Sequence, residues 1–262
     1  EEAAKFADDY AELKKRQKSG EFVTNTGTKK RRFRRVESKI TAKGARAIFY
    51  RQFLEYKKEK YFIFTKMTVL SAVVAFIFAY SLQKSVSDSS MAGFILLGVV
   101  AYVALIMSGY TGKWESELKN PYIFLIPDSP LKKMWYATLM EHVKAFADGC
   151  IICIPIGIFW HVPVIEIIYC ILIYTVLQAD RLYTMVIVQS LLGEVFGKTG
   201  QSLLRMFIQM ALLGVGAGVG VLAAVLISQT LIFPIVLIYG LMITVAMGAI
   251  ALLRFDTMEQ FV

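Results

Sequence analysis

Residues 91–112 read MAGFILLGVVAYVALIMSGYTG, 22 positions without one charged side chain. A helical residue advances about 1.5 Å, so about 20 of them cross a hydrocarbon core about 30 Å thick. Only a helix satisfies every backbone N–H and C=O within a single segment, which makes this run a membrane span. Five more stretches, near 62–82, 141–160, 163–182, 206–228 and 231–253, match it in length. The expected fold is an all-α membrane protein of six transmembrane helices. Lys66 stands close to the start of the first, where its stem can snorkel back to the headgroups. Glu141, His142, Lys144 and Asp148 make the first half of the third polar. The fourth can run on to Phe196 as one long helix.

Composition agrees with that reading. Of 262 residues 56% are hydrophobic and 19% charged, with a mean hydropathy of +0.56, too oily for an ordinary soluble domain. Residues 1–60 hold 18 Lys and Arg against 9 Asp and Glu, while residues 61–262 hold 11 of each. All of the +9 net charge therefore sits beside the first apolar run. Nucleic acid is not the expected partner, because no soluble domain adjoins the basic stretch to shape a groove. Cys150, Cys153 and Cys170 lie in apolar runs. A redox pair at Cys150 and Cys153 would need an accessible thiolate, and Ile151 and Ile152 separate them.

Ala3, Phe6, Ala7, Tyr10 and Leu13 have helical spacing that stops at Gly20, and Asn25 and Gly27 mark a loop. The run KKRRFRR at 29–35 suits anionic cytoplasmic lipid or plain solvation. GARAIFYRQFLEYKK at 44–58 sets Ile48, Phe49, Phe53 and Tyr56 on one face with Arg46, Arg51, Lys57 and Lys58 around the rest, the pattern of a helix lying in the membrane interface. With both termini in the cytoplasm, the inner connections carry nearly all Lys and Arg, and the outer ones only Lys84. The expected divisions are a basic cytoplasmic segment or linker at 1–43, an interfacial connecting helix at 44–60, a six-span domain at 61–253 and a cytoplasmic tail at 254–262.

The longest inner connection, 113–145, reads KWESELKNPYIFLIPDSPLKKMWYATLMEHVKA. An apolar core at 122–126 sits between Pro121 and Pro127, and a helix start follows at Asp128 or Ser129 with Pro130 in its first turn. Such a patch is either a docking surface or a turn resting on lipid. GEVFGKT at 193–199 resembles a phosphate-binding loop but is one residue short, with Leu192 where the first glycine belongs and no strand before it. It reads as a turn. Gly214, Gly216, Gly218 and Gly220 form two overlaid small-xxx-small pairs that allow close helix packing. Asp180 and Arg181 point about 100° apart and cannot pair with each other; the cytoplasmic end of the fourth span is their cheaper place, a substrate-lining role the alternative. Glu166 belongs near water at the outer end of that helix.

No catalytic, cofactor-binding or metal-ligating residue is expected. An intramembrane hydrolase would have to use Glu141, His142 and His161, without an H-E-x-x-H motif. A channel or secondary transporter independent of ATP would need paired intramembrane charges, for which Asp180 and Arg181 are the candidates.

In layout, residues 44–253 resemble the membrane subunit of a type-2 ABC exporter, in particular a family of ABC exporters of Gram-positive bacteria. Two stretches carry the likeness: GARAIFYRQFLEYKK, similar to a connecting helix, and ESELKNPYIFLIPDSPLKKMWYATLMEHVK, similar to a coupling helix. The resemblance implies a permease of the cell membrane that forms the translocation path and docks a separate ATPase subunit. ATP and magnesium would be bound by that subunit, with no cofactor in this chain. The implied docking group is Glu117, Leu118, Pro121, Tyr122, Ile123, Leu125, Ile126, Pro127 and Leu131. Members of the family look about twice as long, so the chain reads as a C-terminal half whose partners are a second half or a second copy, and membrane lipid.

Overall fold

A computed structural model describes residues 42–58, 62, 64, 66–82, 89–109, 113–118, 123–192, 197–226 and 228–260. The expected helix at 3–13, the basic run at 29–35, Lys84, Pro121, Tyr122 and Gly193 lie outside them. Among the described residues every regular element is helical.

Helix α1 (Arg46–Lys58) follows a turn in which Gly44 has φ +64°. A side chain is strained there, and its Cβ would come within 2.8 Å of Asp128 Oδ2. Then come α2 (Lys66–Leu82), α3 (Ser89–Ser108), the short α4 (Lys113–Leu118), α5 (Pro130–Phe159), α6 (Val164–Leu192), α7 (Gly197–Leu226), a 3-10 turn (Gln229–Leu231) and α8 (Ile232–Gln260). Five of these, α3 and α5 to α8, are long and apolar enough to cross a membrane. The sixth expected crossing, α2, is a shorter apolar helix of 17 residues, about 25 Å by helical rise.

The third expected span, 141–160, is the end of a longer helix. Ser129 is extended, Pro130 takes the first helical position, and α5 then runs for 30 residues, about 45 Å. It closes at His161, φ +55°, where His161 N–H donates to Ile158 O at 3.2 Å and Val162 N–H to Gly157 O at 2.9 Å. These paired bonds satisfy the last carbonyls of the helix, and Pro163 prevents its continuation. Partners distant in sequence meet the first, polar half of α5 and the turn before it. Tyr56 Oη donates to Glu141 Oε1 at 3.1 Å, and Gln52 Nε2 donates to Ala137 O at 2.9 Å.

That contact also corrects the expected face of α1. Ile48, Gln52 and Tyr56, four residues apart, are its buried stripe, and they pack on α5. Phe49 and Phe53 stack on each other, one position round the helix. A stripe containing Gln52 needs a hydrogen-bonding neighbour, which lipid tails do not offer.

Helix α6 is the centre of the bundle, packed on α3, α5, α7 and α8, with 67% of its apolar stretch buried. The apolar stretches of α7 and α8 are only 22% and 11% buried, which leaves faces of a kind that lipid covers and water does not. Two apolar clusters result. One gathers Leu96, Val99, Ile152, Ile156, Cys170 and Tyr174, and the other Ile48, Trp114, Ile123, Phe124, Met185 and Phe255. Between them lies a polar layer in which Glu141, Lys144, Asp148, Gln178 and Arg181 surround a void of about 20 Å³, room for about one water.

Candidate functional site

The connection between α3 and α5 is held from several sides. In α4, Trp114 stacks on Phe255 of α8 with ring centroids 6.5 Å apart. Glu115 faces Arg205 of α7 at 3.7 Å, and Glu117 pairs with Arg51 of α1. Further on, Ile123 is buried and Phe124 meets Phe255 at 5.1 Å. The Lys133 ammonium, 0% exposed, donates to Phe124 O at 3.0 Å and so clamps the turn onto α5.

Asp128 ends the turn. Its Oδ2 accepts Ala45 N–H at 3.2 Å, and its Oδ1 accepts Ser129 N–H at 3.0 Å and lies 3.5 Å from Lys132 Nζ. The Ala45 amide, then the Ser129 amide and the Lys132 charge, hold its carboxyl below the usual range, because all three favour the anion. Beside it Arg46 Nε donates to Tyr136 Oη at 3.2 Å, and this bond to Tyr136 raises the guanidinium.

With its inner side committed, the turn presents Leu125 (65% exposed), Pro127 and Leu131 (58% exposed) outward, together with Trp135. A groove of about 360 Å³ runs alongside, lined by Lys43, Arg46, Lys132, Leu131, Trp135 and Tyr136 and by Asp128, so that three cations face one carboxylate. An apolar ridge next to a basic groove is suited to a protein surface that offers both apolar and acidic side chains.

A second concavity lies among α3, α6, α7 and α8, a cavity of about 410 Å³ with Asp180 on its wall. Arg181, next in sequence, faces the polar layer and donates from Nη1 to Met107 O at 3.1 Å. The two charged groups therefore serve different neighbours. Both sit inside α6, which continues to Leu192, so the helix does not end where they stand.

The family model described as Putative ABC exporter matches residues 1–259. The chain belongs to this family. No curated protein and no solved structure matches it.

On this ABC exporter chain the seven described residues of the expected docking group do not share one surface. Glu117, Leu118 and Ile123 are buried within the chain, Ile126 is half-buried, and Leu125, Pro127 and Leu131 are exposed. Pro121 and Tyr122 are outside the described residues. Trp135 was missed at the sequence level. Its four-residue spacing from Leu131 along α5 was the available signal. The glycines also divide: a Cβ on Gly216 would meet Tyr239 at 3.0 Å and one on Gly220 Val236 at 3.2 Å, both on α8, whereas Gly214 and Gly218 have nothing within 4 Å.

The hydrolase residues do not come together. Glu141 is engaged by Tyr56, the His142 ring sits between those of Trp135 and Tyr183, and His161 lies past the far end of α5, about 25 Å along the helix from His142. Among the described residues no group of three His, Cys, Asp or Glu side chains could hold a metal. Glu166, expected near water, is half-buried and lies against Gly93 of α3.

Proposed function

We propose that this chain is the permease of a type-2 ABC exporter in the cell membrane, crossing it six times with both termini in the cytoplasm. It forms the translocation path and docks a separate ATPase subunit, which binds ATP and magnesium. The observation that carries the reading is the clamped turn at 123–129, which exposes Leu125 and Pro127 beside Leu131 of α5 while Phe124, Lys133 and Asp128 tie it to α8, α5 and α1. A flexible loop could bind a partner but would absorb its motion. A turn anchored to three helices passes the motion on, so closure of two ATPase subunits around ATP tilts the spans. The excess of Lys and Arg in the inner connections supports the orientation, and α2 supplies the sixth crossing. One bundle with α7 and α8 largely uncovered calls for a second half or a second copy to enclose a path.

The test is purification in mild detergent, mass spectrometry of the retained proteins, and repetition with Leu125→Glu combined with Leu131→Glu. An ATPase subunit is expected with the parent chain and lost from a variant that still folds. Absence of such a subunit from the parent chain, or equal retention by the variant, sinks the proposal.

A further inference from the structure

The cavity among α3, α6, α7 and α8 is walled by aliphatic and aromatic side chains, among them Phe94, Leu97, Ile173, Leu177, Leu213 and Val236. Its volume of about 410 Å³ lies within the range of small-molecule sites, and the position is bilayer level by the apolar helices that form it. One acidic side chain breaks the apolar surface. Asp180 is 1% exposed, and its Oδ1 has no hydrogen-bond partner among the described residues. Thr244 lies beside the carboxyl. The hydroxyl of Tyr239, also on the wall, already donates to Leu212 O at 3.1 Å. Among the described residues no Lys, Arg or His lines the cavity, and Arg181 is turned to the Met107 carbonyl.

A buried carboxyl with a free acceptor atom is costly until a donor reaches it, and most so when ionised. Among the described residues the Thr244 hydroxyl donates to Gly240 O at 2.8 Å and no donor reaches Oδ1, so the ligand must supply one. A hydrated or bare metal ion is a poor candidate, since hard cations need six or more oxygen ligands and these walls are hydrocarbon. An anion would be repelled. A neutral oily molecule would fill the space and leave Asp180 unsatisfied.

We infer that this cavity binds a lipophilic ammonium compound, its hydrocarbon body against the walls of α3, α6, α7 and α8 and its ammonium on the carboxylate of Asp180. Taken as the cargo of the exporter, this class of compound rests on the function proposed above; the binding itself does not.

The test uses the full chain in lipid nanodiscs and three photoactivatable probes that share one dodecyl tail with a diazirine: an amine, an alcohol and a carboxylate. The amine is expected to label peptides of α6 and α8 about tenfold more strongly than the alcohol, with the carboxylate weakest. Asp180→Asn, close in shape, should bring amine labelling down to the alcohol level and leave alcohol labelling unchanged. Gly98→Leu supplies a second variant, since Gly98 lines the cavity and its Cβ would meet nothing within 4 Å. Its side chain should fill the space and reduce labelling by amine and alcohol alike. Equal labelling by amine and alcohol in the parent chain, an amine preference that survives Asp180→Asn, or labelling indifferent to Gly98→Leu overturns the inference. Retention of the ATPase subunit is read on the same preparations. If labelling behaves as stated but no subunit is retained, the exporter proposal fails and the site stands. If the subunit is retained and the amine preference is absent, the site alone fails.

Discussion

The Asp128 carboxylate accepts the backbone N–H of Ala45 at 3.2 Å, joining the start of α1 to the end of the turn that precedes α5. Because the amides of Ala45 and Ser129 and the charge of Lys132 favour its ionised form, the folded carboxyl titrates below its unfolded value of about 3.9. A depressed carboxyl stabilises fully above the unfolded value, and that stability is lost as pH falls through the folded one. Melting temperatures in detergent should therefore separate the parent chain from Asp128→Asn at pH 7, and the gap should close below about pH 4. A gap unchanged at pH 3 would show that the link does not depend on the anion.

The buried Lys133 ammonium and the Phe124 carbonyl form the second tie on this turn. Lys133→Met keeps much of the stem and removes the donor, leaving a buried carbonyl short of a partner at about 1–3 kcal/mol. Hydrogen exchange at the amides of residues 123–128 should accelerate, and capture of the ATPase subunit should weaken. Unchanged exchange would remove Lys133 from its clamping role.

Ile123 and Leu125 stand two positions apart with opposite surroundings, 3% and 65% exposed. Ile123→Ala should cost about 2–5 kcal/mol of unfolding free energy, as truncation in a packed core does. Leu125→Ala should stay within about 0.5 kcal/mol yet reduce partner capture. Reversal of the two stability effects would mean that the turn faces the other way.

Gly216 and Gly218 offer a similar pair on α7. An added methyl group at Gly216 must displace Tyr239, 3.0 Å away, and disturb its bond to Leu212 O, so Gly216→Ala should destabilise. Gly218 opens onto nothing within 4 Å, and Gly218→Ala should raise stability by about 0.5–1 kcal/mol through restriction of the unfolded chain. Thermal unfolding of both variants in detergent checks the contrast.

Some of this was legible from residue order alone. The apolar runs that begin at Met91 and Leu231 form α3, to Ser108, and α8, from Ile232, because in lipid a long apolar segment has no other way to satisfy its backbone. The divergence of Asp180 and Arg181 also followed from helical geometry. The place where they stand did not, since it depends on how far α6 runs and on which helices flank it. The start of α5 at Ser129 and Pro130 was legible from its cap, but its continuity through the polar residues into the expected span at 141–160 was hidden for a related reason. Glu141 and Lys144 look unfit for a packed helix until Tyr56 and Gln52, 85 residues earlier than their bonding partners, come against it. The turn at 123–129 was legible as an apolar segment between prolines, but its inner and outer residues were not, because an irregular turn has no period from which to read a face.

Taken alone, the sequence determined the membrane class, the long apolar helices and the position of the apolar turn, since each follows from local hydrophobicity and from backbone hydrogen bonds that close within a segment. Only the tertiary structure decided which residues of that turn are buried, which glycines meet a neighbour and what surrounds Asp180. Those properties belong to contacts between distant segments, and the energy of a buried polar group depends on the partner that another helix does or does not bring to it.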